Sequence, residues 1–466
     1  MSSKKSRFAP SPTGLMHIGN ARTALFSALL GDLFLLRIED TDAERSREEF
    51  VSGLMEDLRW LGLNWQEGPS NSEPDEYWFQ SKRTPIYDRY YQQLIDSGLA
   101  YPCFCTPTEL EIARKVQLSS GRPPRYSGKC ARLSPEDVER KRNEGLQPTL
   151  RFKVPQDEPI RFVDGVRGPQ QFEPQDIGDF IIRRADGTSA FFFCNAIDDA
   201  LMGVTHVLRG EDHLTNTPRQ LLILEALGLP KPAYAHGSLI LGEDGAPLSK
   251  RNGSRSISEL RHQGYFPKAL VNMMARLGHH YESDELMSLP ELKSKFGLEH
   301  LGKSPARFDF AHLEHWQTLA VRTASDQELD GWIPSEIWQF VPPENHDGFR
   351  EVVRTNCLYP KEALIWAEIL FTDQMTLDEV SQQAIDSAGE SFFLSALDLH
   401  QRSDGNYAVF LDGLKAATGA KGKGLFMPLR SAWTGRHDGP DLATIYRLID
   451  PDRLHKRMAQ FTYASK

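Results

Sequence analysis

The sequence predicts an α/β protein whose first part alternates strands and helices and whose last part is helical. Three observations carry this prediction. A short strand, a loop interrupted by prolines and glycine, and a helix follow one another between Arg7 and Phe26. A near-continuous apolar run at 33–38 is typical of a buried parallel strand. Beyond residue 255, apolar residues recur with helical spacing and short connections.

The composition is that of an ordinary globular chain. The 466 residues are enough for three or more domains, and 40% of them are hydrophobic and 25% charged. The sequence contains no run of 18 apolar residues that predicts a membrane span. A formal net charge of −10 argues against a DNA-coating protein, because such proteins carry a basic surface. Five cysteines without a disulfide framework, and an amino-terminal segment without an apolar core, favour a reduced, cytosolic compartment.

The loop after the first predicted strand is a candidate phosphate site. Pro10 and Gly14 interrupt regular structure, so His17 and Gly19 lie where the loop enters a helix. The unsatisfied N–H groups of a helix N-terminus favour phosphate. Gly19 lets a ligand approach the backbone, and His17 supplies a hydrogen-bond donor. A histidine at such a place can also be a packing or capping residue, so the pattern alone leaves both roles open.

Carboxylates follow the second predicted strand. Glu39 and two aspartates come directly after the apolar run, at the strand end where open α/β sheets bind ligands. The acidic residues can also begin the next helix, because Thr41 and Glu44 have the spacing of a capping box. Both roles are compatible, and this helix is expected to continue to about Leu61.

The middle of the chain predicts further strands and helices. Tyrosines 87, 90 and 91 lie on one face of a helix that begins at Thr84-Pro85, and we assign them to the core. Residues 178–198 have the pattern of two strands joined by a turn at Asp186-Gly187. A strand is expected at 204–208, followed by a charged cluster from Arg209 to His213 and a helix from Thr217. A charged cluster between a strand and a helix is the position of a site.

Two further patterns suggest ligands. Cys103 and Cys105, with the later Cys130, could hold zinc if a fourth ligand is present, and three buried free thiols are an equal alternative. In a later loop, Lys250 can bring an ammonium group to a triphosphate and stabilise the charge that develops on a leaving pyrophosphate. Ser256 and the glutamate three residues later form a capping box for the next helix.

Several motifs resemble those of the bacterial glutamyl-tRNA synthetases, which are class I aminoacyl-tRNA synthetases. In chain order they are RFAPSPTG with HIGN, LRIEDTD with LGLNWQEGP, GEDH, PLSKR and GAKGKGLFMPLRSAWTGRHDGP. The resemblance covers essentially the whole chain. It departs at Asn20, where the HIGH signature usually has His or Gly, at Pro247, where the KMSKS loop has its first lysine, and at Phe191, where the family has tyrosine. These departures suggest a divergent, second-copy type.

The resemblance implies a class I Rossmann-type catalytic domain with an inserted acceptor-binding domain, followed by all-helical stem-contact and anticodon-binding domains. The implied boundaries are 1–102 and 191–245 for the two catalytic halves, 103–190 for the insert with its zinc site, 246–325 for the stem-contact domain with the KMSKS-like loop, and 326–466 for the helical cage that binds the anticodon.

The resemblance also implies an activity. It predicts ATP·Mg²⁺-dependent activation of L-glutamate to glutamyl-adenylate and transfer to the 3′-terminal adenosine of tRNA(Glu), tRNA(Gln) or both. A paralogue that glutamylates a tRNA base is the first alternative, although such proteins lack the helical carboxy-terminal region of this chain. The second is a non-catalytic tRNA- or amino-acid-sensing protein, which the combination of Arg7, His17, Gly19 and Lys250 disfavours. We expect a cytoplasmic monomer with no membrane or DNA partner.

Residue roles carry over from the family position by position. Catalysis is assigned to His17, Gly19 and Lys250, and ATP binding to Pro10, His17, Gly19, Asn20, Glu211, Asp212, Ser249, Lys250 and Arg251. The glutamate pocket comprises Arg7 for the side-chain carboxylate, Glu39 for the α-ammonium, and Ala9, Ser11, Phe191, Asn195 and Arg209. The family's zinc ligands correspond to Cys103, Cys105 and Cys130, with Tyr126 as the fourth because Arg132 stands in the histidine position. Such a zinc ion is structural, because four protein ligands leave no open position.

The choice of tRNA is expected to depend on the helical cage. In family members that discriminate against tRNA(Gln), an arginine in the cage reads the last anticodon base. The corresponding region here is 354–364, in which Asn356 or Cys357 occupies that position. The sequence therefore predicts relaxed or shifted tRNA specificity.

Overall fold

The computed structural model describes residues 3–42, 44–70, 74–121, 124–248 and 255–462. These residues pack into two compact units. The first is formed by the described residues of Met1–Leu260 and Leu270–His312, and the second by those of Arg261–Ala269 and Leu313–Lys466. The predicted loop residues Ser249, Lys250 and Arg251 lie outside the described residues.

The strands of the described chain are β1 Lys5–Phe8, β2 Leu33–Leu36, β3 Ala100–Cys103, β4 Thr149–Phe152, β5 Ile160–Asp164, β6 Gly168–Phe172, β7 Phe180–Arg183, β8 His206–Gly210, β9 Ala233–Gly237, β10 Ile240–Leu241 and β11 Ala306–Arg307. The helices up to residue 276 are α1 Ile18–Leu30, α2 Glu48–Trp60, α3 Thr84–Asp96, α4 Pro107–Ser119, α5 Pro135–Asn143, α6 Pro174–Ile177, α7 Phe191–Leu201, α8 Thr217–Ala226, α9 Ile257–His262 and α10 Pro267–Arg276. The later helices are α11 Leu289–Ser294, α12 Phe310–Arg322, α13 Asp326–Trp332, α14 His346–Asn356, α15 Pro360–Phe371, α16 Glu379–Ala388, α17 Glu390–Arg402, α18 Tyr407–Thr418, α19 Lys423–Thr434, α20 Leu442–Leu448 and α21 Pro451–Ala459.

A four-stranded parallel sheet is the centre of the first unit. Its strand order is β2-β1-β8-β9, and each neighbouring pair is parallel. The chain pairs β1 first with β2 and, much later, with β8 on the other side. The strand order therefore changes direction between β1 and β8, and the carboxyl ends of these strands form the crevice in which such sheets bind ligands.

The first helix follows the predicted loop. His17 is the residue before α1 and has an extended backbone, with φ −113° and ψ 170°. The residues of α1 that face the sheet, among them Ile18, Ala21 and Leu25, are fully buried. This burial along one face fixes the helix N-terminus at the carboxyl end of β1.

The insert between β3 and β7 has its own sheet. Strands β3, β4 and β7 pair antiparallel in that order, and β5 and β6 form a separate hairpin. Tyr87, Tyr90 and Tyr91 of α3 pack with Phe152 and Phe193 in one buried cluster. The assignment of the tyrosines to the core is thus confirmed.

Three expectations about local structure require correction. Residues 191–201 form helix α7, not the second of two strands, and β8 begins at residue 206 instead of 204. Helix α2 begins at Glu48, so Thr41 and Glu44 do not cap it. Instead, Asp40 accepts hydrogen bonds from the backbone and hydroxyl of Ser81, at 2.8 and 2.5 Å, which holds this segment extended past the strand.

The second unit is helical, as predicted. Among its described residues, 261–269 and 313–462, helices are joined by short connections and no strand occurs. Several of these helices begin with side-chain caps, such as the Ser325–Glu328 capping box of α13. No helix in the described part of the chain is long and apolar enough to cross a membrane.

Candidate active site

A cavity of about 480 Å³ lies at the carboxyl ends of β1 and β8. Twelve of the residues that the sequence assigns to ATP or glutamate line it. They are Arg7, Ala9, Pro10, Ser11, His17, Gly19, Asn20, Glu39, Phe191, Asn195, Arg209 and Asp212. The cavity therefore brings together positions as far apart in the sequence as Arg7 and Asp212.

A buried network of charges forms one side of the cavity. Arg7 Nε lies 3.2 Å from Asp199 Oδ1, and Arg37 Nη1 lies 2.7 Å from the same oxygen. Arg37 also approaches Glu39, with 3.4 Å between Nη2 and Oε1. Burial alone would lower the pKa of Arg37, but the neighbouring carboxylates raise it above its usual value. The side chains of these two arginines, Glu39 and Asp199 are thus expected to fix one another's charge and position.

Helix α7 supplies two side chains to this network. Asn195 and Asp199 are four residues apart and therefore lie on the same face of the helix. Asn195 accepts a hydrogen bond from Arg7 Nη2 at 3.4 Å through Oδ1 and donates one to Glu39 through Nδ2. The amide thus joins the guanidinium group to the carboxylate across the cavity.

Glu39 has an unusual environment for a carboxyl group. Its side chain is 5% exposed, and burial raises its pKa to about 7 despite the opposing charges of Arg37 and Arg7. The group is therefore partly protonated near neutral pH. A ligand that brings a positive charge to Glu39 favours the ionised form.

Arg209 of β8 also lines the cavity. Its Nη2 donates to Thr217 Oγ1 at 2.8 Å and to Gln220 Oε1 at 2.7 Å, and its Nε donates to His236. Its Nη1 is buried and has no hydrogen-bond partner among the described residues. Burial lowers the pKa of Arg209 to about 10, which leaves it charged at neutral pH. A charged guanidinium group in the lining of the cavity favours an anionic ligand.

The N-terminus of α1 forms another part of the wall. His17 and Gly19 line the cavity, and a Cβ placed on Gly19 would come no closer than 3.9 Å to another residue's side chain. Leu248 also lines the cavity, and its N–H donates to Ile240 O at 2.8 Å. On the other side of residues 249–254, Ser256 pairs with His17 in a β-bridge. Ser256 therefore lies beside the N-terminus of α1.

The Ser256 capping box is confirmed. Ser256 N donates to Glu259 Oε2 at 2.7 Å, and Glu259 N donates to Ser256 Oγ at 3.1 Å. The two bonds satisfy donors at the start of α9.

Glu211 lies off the cavity, whereas its neighbour Asp212 lines it. Glu211 pairs with Arg167, and its Oε1 accepts the N–H of Leu239 at 2.8 Å. These contacts hold the loop after β8 and the residue before β10. In this structure Glu211 therefore supports the wall of the cavity and does not line it.

Phe191 lies at the rim. As the first residue of α7 it is half-buried, and its ring centroid is 5.4 Å from that of His213. Burial lowers the pKa of His213 to about 4, so the imidazole is neutral at physiological pH. The two rings form an uncharged edge of the cavity next to its charged interior.

A larger cavity of about 1150 Å³ also touches Phe191 and extends along the insert. Its lining includes six basic side chains, Arg151 among them, and several aromatic rings. The other basic residues are Arg114, Arg125, Lys129, Arg184 and Arg219. Arg219 lies over the rings of Phe192 and Phe180, at 5.3 and 5.9 Å from their centroids. Such a surface suits a single nucleic acid strand, which offers phosphates and bases.

The predicted cysteine cluster is present. The sulfur atoms of Cys103, Cys105 and Cys130 all lie within 4.8 Å of one another, and those of Cys105 and Cys130 are 3.6 Å apart. The Tyr126 hydroxyl oxygen is 3.3 Å from the sulfur of Cys103 and 3.5 Å from that of Cys105. Burial tends to raise the pKa of Cys103, but hydrogen bonds with Tyr126 and Arg151 bring it down to about 7.

The helical unit contains the candidate anticodon positions. Cys357 is buried, so its side chain is not available to a base. Asn356 lines a small cavity of about 240 Å³ together with Thr355, Asp441 and Thr444. The Asn356 amide nitrogen donates to Val352 O at 3.0 Å.

Comparisons with known proteins identify the family of the chain. The family model "tRNA synthetases class I (E and Q), catalytic domain" matches residues 4–315. The chain belongs to this family. A glutamate–tRNA ligase 1 of Methylococcus capsulatus is 64% identical over 466 residues, which is 100% of both chains. A glutamate–tRNA ligase 2 of Nitrosococcus oceani is 54% identical over 97% of both chains.

Solved structures of similar proteins show the same arrangement along the whole chain. The crystal structure of a glutamate tRNA ligase from Elizabethkingia meningosepticum in complex with its amino acid matches with a TM-score of 0.87 at 28% identity, covering 99% of both chains. That of the glutamate–tRNA synthetase from Elizabethkingia anophelis matches with a TM-score of 0.85. The class I synthetase fold expected from the sequence is confirmed.

Some residues of the site were not expected from the sequence. Asp199 and Arg37 hold Arg7 and Glu39 in place, while Gln220 and His236 hold Arg209. The signal for Asp199 is its spacing of four from Asn195, which becomes informative only when 191–201 is read as a helix. The signal for Arg37 is a lone charge within an apolar strand.

Proposed function

We propose that this protein is a class I glutamate–tRNA ligase that joins L-glutamate to the 3′-terminal adenosine of tRNA(Glu), tRNA(Gln) or both. The observation that carries the proposal is the charge pattern of the small cavity. L-glutamate has two carboxylates and one ammonium group, and the cavity presents Arg7, Arg209 and the carboxyl of Glu39. The relatives named glutamate–tRNA ligase that match the full length of the chain support it.

The orientation of the amino acid follows from the network. Arg7 pairs with the side-chain carboxylate, and the planar guanidinium group can do so with two parallel hydrogen bonds. Glu39 and Asn195 take the α-ammonium group. Arg209 completes the pocket, and Phe191 with Ala9 and Ser11 forms its remaining wall.

The protein acts by positioning and by electrostatic stabilisation. An α-carboxylate oxygen of glutamate attacks the α-phosphorus of ATP, an oxygen–phosphorus bond forms, and the bond to the leaving pyrophosphate breaks. His17, with Gly19 and Asn20 at the N-terminus of α1, binds the phosphates, as do Pro10 and Asp212 on their side of the cavity. Lys250, with Ser249 and Arg251, neutralises charge on the pyrophosphate. Mg²⁺ accompanies ATP and neutralises phosphate charge.

In the second step the adenylate transfers its glutamyl group. The 2′-hydroxyl of the terminal adenosine attacks the carbonyl carbon, and AMP leaves with the electron pair of the broken bond. We assign the binding of the tRNA acceptor end to the larger cavity, where Arg219 and Arg184 provide phosphate contacts and Phe192 a stacking surface. The helical unit is assigned to the anticodon. We expect this activity in a cytoplasmic monomer.

We also propose a structural Zn²⁺ ion held by the three cysteines and Tyr126. Tetrahedral zinc with bonds of about 2.3 Å places sulfur ligands roughly 3.8 Å apart, close to the 3.6 Å between Cys105 and Cys130. A pKa of about 7 for Cys103 favours the thiolate that zinc requires. The ion would connect the end of β3 to the segment that contains Tyr126 and Cys130.

The experiment is aminoacylation of purified tRNA(Glu) and tRNA(Gln) transcripts, side by side, with glutamate and ATP·Mg²⁺. Charging of tRNA(Glu) alone assigns a discriminating enzyme. Charging of tRNA(Gln) would show the broader specificity. An amidotransferase would then be needed to convert the glutamyl-tRNA(Gln) product. Charging of neither, with adenylate formation intact, would replace the proposal by the tRNA-modifying or sensing alternative.

A further inference from the structure

A series of buried, hydrogen-bonded side chains connects the hairpin of the insert to the glutamate pocket. Asp164, the last residue of β5, lies against the imidazole Nδ1 of His236 on β9, and neither side chain is exposed. The other ring nitrogen of His236, Nε2, lies 3.1 Å from Arg209 Nε on β8. His236 and Arg209 are register partners in the parallel sheet, which places them side by side.

The hydrogen-bond chemistry fixes the state of this histidine. A guanidinium group can only donate, so Nε2 of His236 must accept from Arg209. The ring proton is therefore on Nδ1, and Asp164 accepts it. Asp164 is held in turn by the backbone N–H groups of Val166 and Arg167, at 2.9 and 2.8 Å from Oδ1. Burial tends to raise the pKa of Asp164, but its hydrogen bond with His236 and those from the two backbone N–H groups lower it below its usual value.

These contacts fix the rotation of the Arg209 guanidinium group. Nε donates to His236, and Nη2 donates to Thr217 and Gln220. The Thr217 hydroxyl also lies 3.1 Å from His236 Nε2, so the same three side chains surround this edge of the guanidinium group. A rotation of the group would break the hydrogen bonds of Nε and Nη2 and displace a charged residue that lines the cavity.

We propose that Asp164 and His236 are positioning residues of the glutamate site. Asp164 fixes the tautomer of His236, and His236 fixes the rotation of Arg209, whose guanidinium group binds a carboxylate of the amino acid in the cavity. The inference rests on the proposed function. It gives the hairpin β5–β6 a role in substrate binding in addition to its packing on β9, where Gly165 N donates to Tyr234 O at 2.8 Å.

The deciding variant is Asp164→Asn. Its amide oxygen can still accept the two backbone N–H groups, but its amide nitrogen donates to His236 Nδ1. The ring proton then moves to Nε2, where it faces the N–H of Arg209 Nε and can donate to the Thr217 hydroxyl, so Arg209 loses its acceptor. We expect the KM for glutamate to rise about tenfold or more, as for a lost hydrogen bond to a charged group. The KM for ATP should stay within about twofold, because no contact with ATP is assigned to this chain of residues.

The kinetics are measured as glutamate-dependent ATP–pyrophosphate exchange with tRNA(Glu) present. His236→Gln retains an acceptor for Arg209 and should recover activity relative to His236→Phe, which fills the space without one. Arg161→Gln is the matched control, because Arg161 is exposed on the same hairpin and hydrogen-bonds to Gln171, outside the series Asp164–His236–Arg209. Its KM values should equal those of the wild type. Nitrogen chemical shifts of ¹⁵N-labelled histidine report the tautomer of His236 independently of activity.

The outcomes separate the possible explanations. A reversed tautomer in Asp164→Asn with a raised KM for glutamate supports the positioning role. A reversed tautomer with an unchanged KM for glutamate overturns it. Equal rises in both KM values together with a lower unfolding temperature also overturn it, in favour of a structural role. If the wild-type protein shows no exchange with glutamate, the proposed function fails, and the tautomer measurement still tests the chain of hydrogen bonds.

Discussion

Arg37 and Asp199 form an ion pair beneath the glutamate pocket, with 2.7 Å between Nη1 and Oδ1 and neither side chain exposed to solvent. The same carboxylate also receives Arg7, at 3.2 Å. One buried acid therefore serves two guanidinium groups. A buried charge without its partner is costly, so each member of this group depends on the others for its protonation state and its position.

Replacement of this acid should cost stability. We expect Asp199→Asn to lower the free energy of unfolding by about 3 kcal/mol, because two buried guanidinium groups lose their shared counter-charge. The measurement is urea denaturation followed by circular dichroism. Glu225→Gln is the control, since it breaks the exposed pair with Lys231 and should cost less than about 1 kcal/mol. Equal losses for the two variants would contradict a special role of the buried pair.

Arg7 should matter most for glutamate. Arg7→Ala removes the group assigned to the side-chain carboxylate, and we expect a rise in the KM for glutamate of roughly 10- to 100-fold, as for a lost charged hydrogen bond. Arg7→Lys keeps the charge without the two-pronged geometry and should fall between the wild type and alanine. Pyrophosphate exchange over a range of glutamate concentrations measures both. Unchanged activation in Arg7→Ala would refute the substrate assignment.

Lys250 should act on the first chemical step. Lys250→Ala is expected to slow adenylate formation by about 100-fold, because one preorganised positive charge on the leaving pyrophosphate is lost. The affinity for tRNA, measured by filter binding, should not change. Lys303→Ala removes an exposed lysine of the same unit and serves as the control. A normal exchange rate in Lys250→Ala would exclude the proposed role.

The sequence predicted the parts of the fold that have local causes. The strand at 33–36 follows from a short apolar run, and the N-terminus of α1 follows from the loop between Pro10 and Gly14. These features depend on the chemistry of a few neighbouring residues, and they place His17 and Glu39 at the cavity. The helical nature of the second unit likewise follows from local periodicity.

The error at 191–201 shows what local patterns cannot decide. The run of Phe191 to Ile197 is almost entirely apolar, and a short apolar run is compatible with either a buried strand or a buried helix. Here the segment is surrounded by protein, and eight of its residues are buried. The helix brings Asn195 and Asp199 to one face, so the missed helix and the missed Asp199 have the same cause. The environment of His236 depends on a hairpin 72 residues earlier, which no local pattern contains.

The zinc site gives a prediction about composition and stability. The purified protein should contain about one zinc per chain, and Tyr126→Phe should lower its zinc affinity because it removes the fourth ligand. A chelator should lower the unfolding temperature of the wild type more than that of Cys130→Ser. Cys357→Ala is the control, since this buried thiol lies in the helical unit and should leave the zinc content unchanged. Wild-type protein without zinc after preparation in zinc-containing buffer would show that three thiols and a phenol do not suffice.

Glu39 makes the binding of glutamate depend on pH. Burial raises its pKa to about 7, so the carboxyl is mostly protonated at pH 6 and mostly ionised at pH 8. The ammonium group of the substrate requires the ionised form. The affinity for glutamate should therefore rise about tenfold between pH 6 and pH 8, in proportion to the ionised fraction. The substrate's own groups do not titrate in this range, and the pKa of His213 is about 4.

Titration calorimetry with glutamate in the absence of ATP measures this dependence without the titration of the triphosphate. Glu39→Gln should bind more weakly and show no rise between pH 6 and pH 8, because its amide does not ionise. A rise that persists in Glu39→Gln would assign the titration to another group. A flat profile in the wild type would mean that Glu39 stays ionised throughout this range, so that Arg37 and Arg7 outweigh its burial.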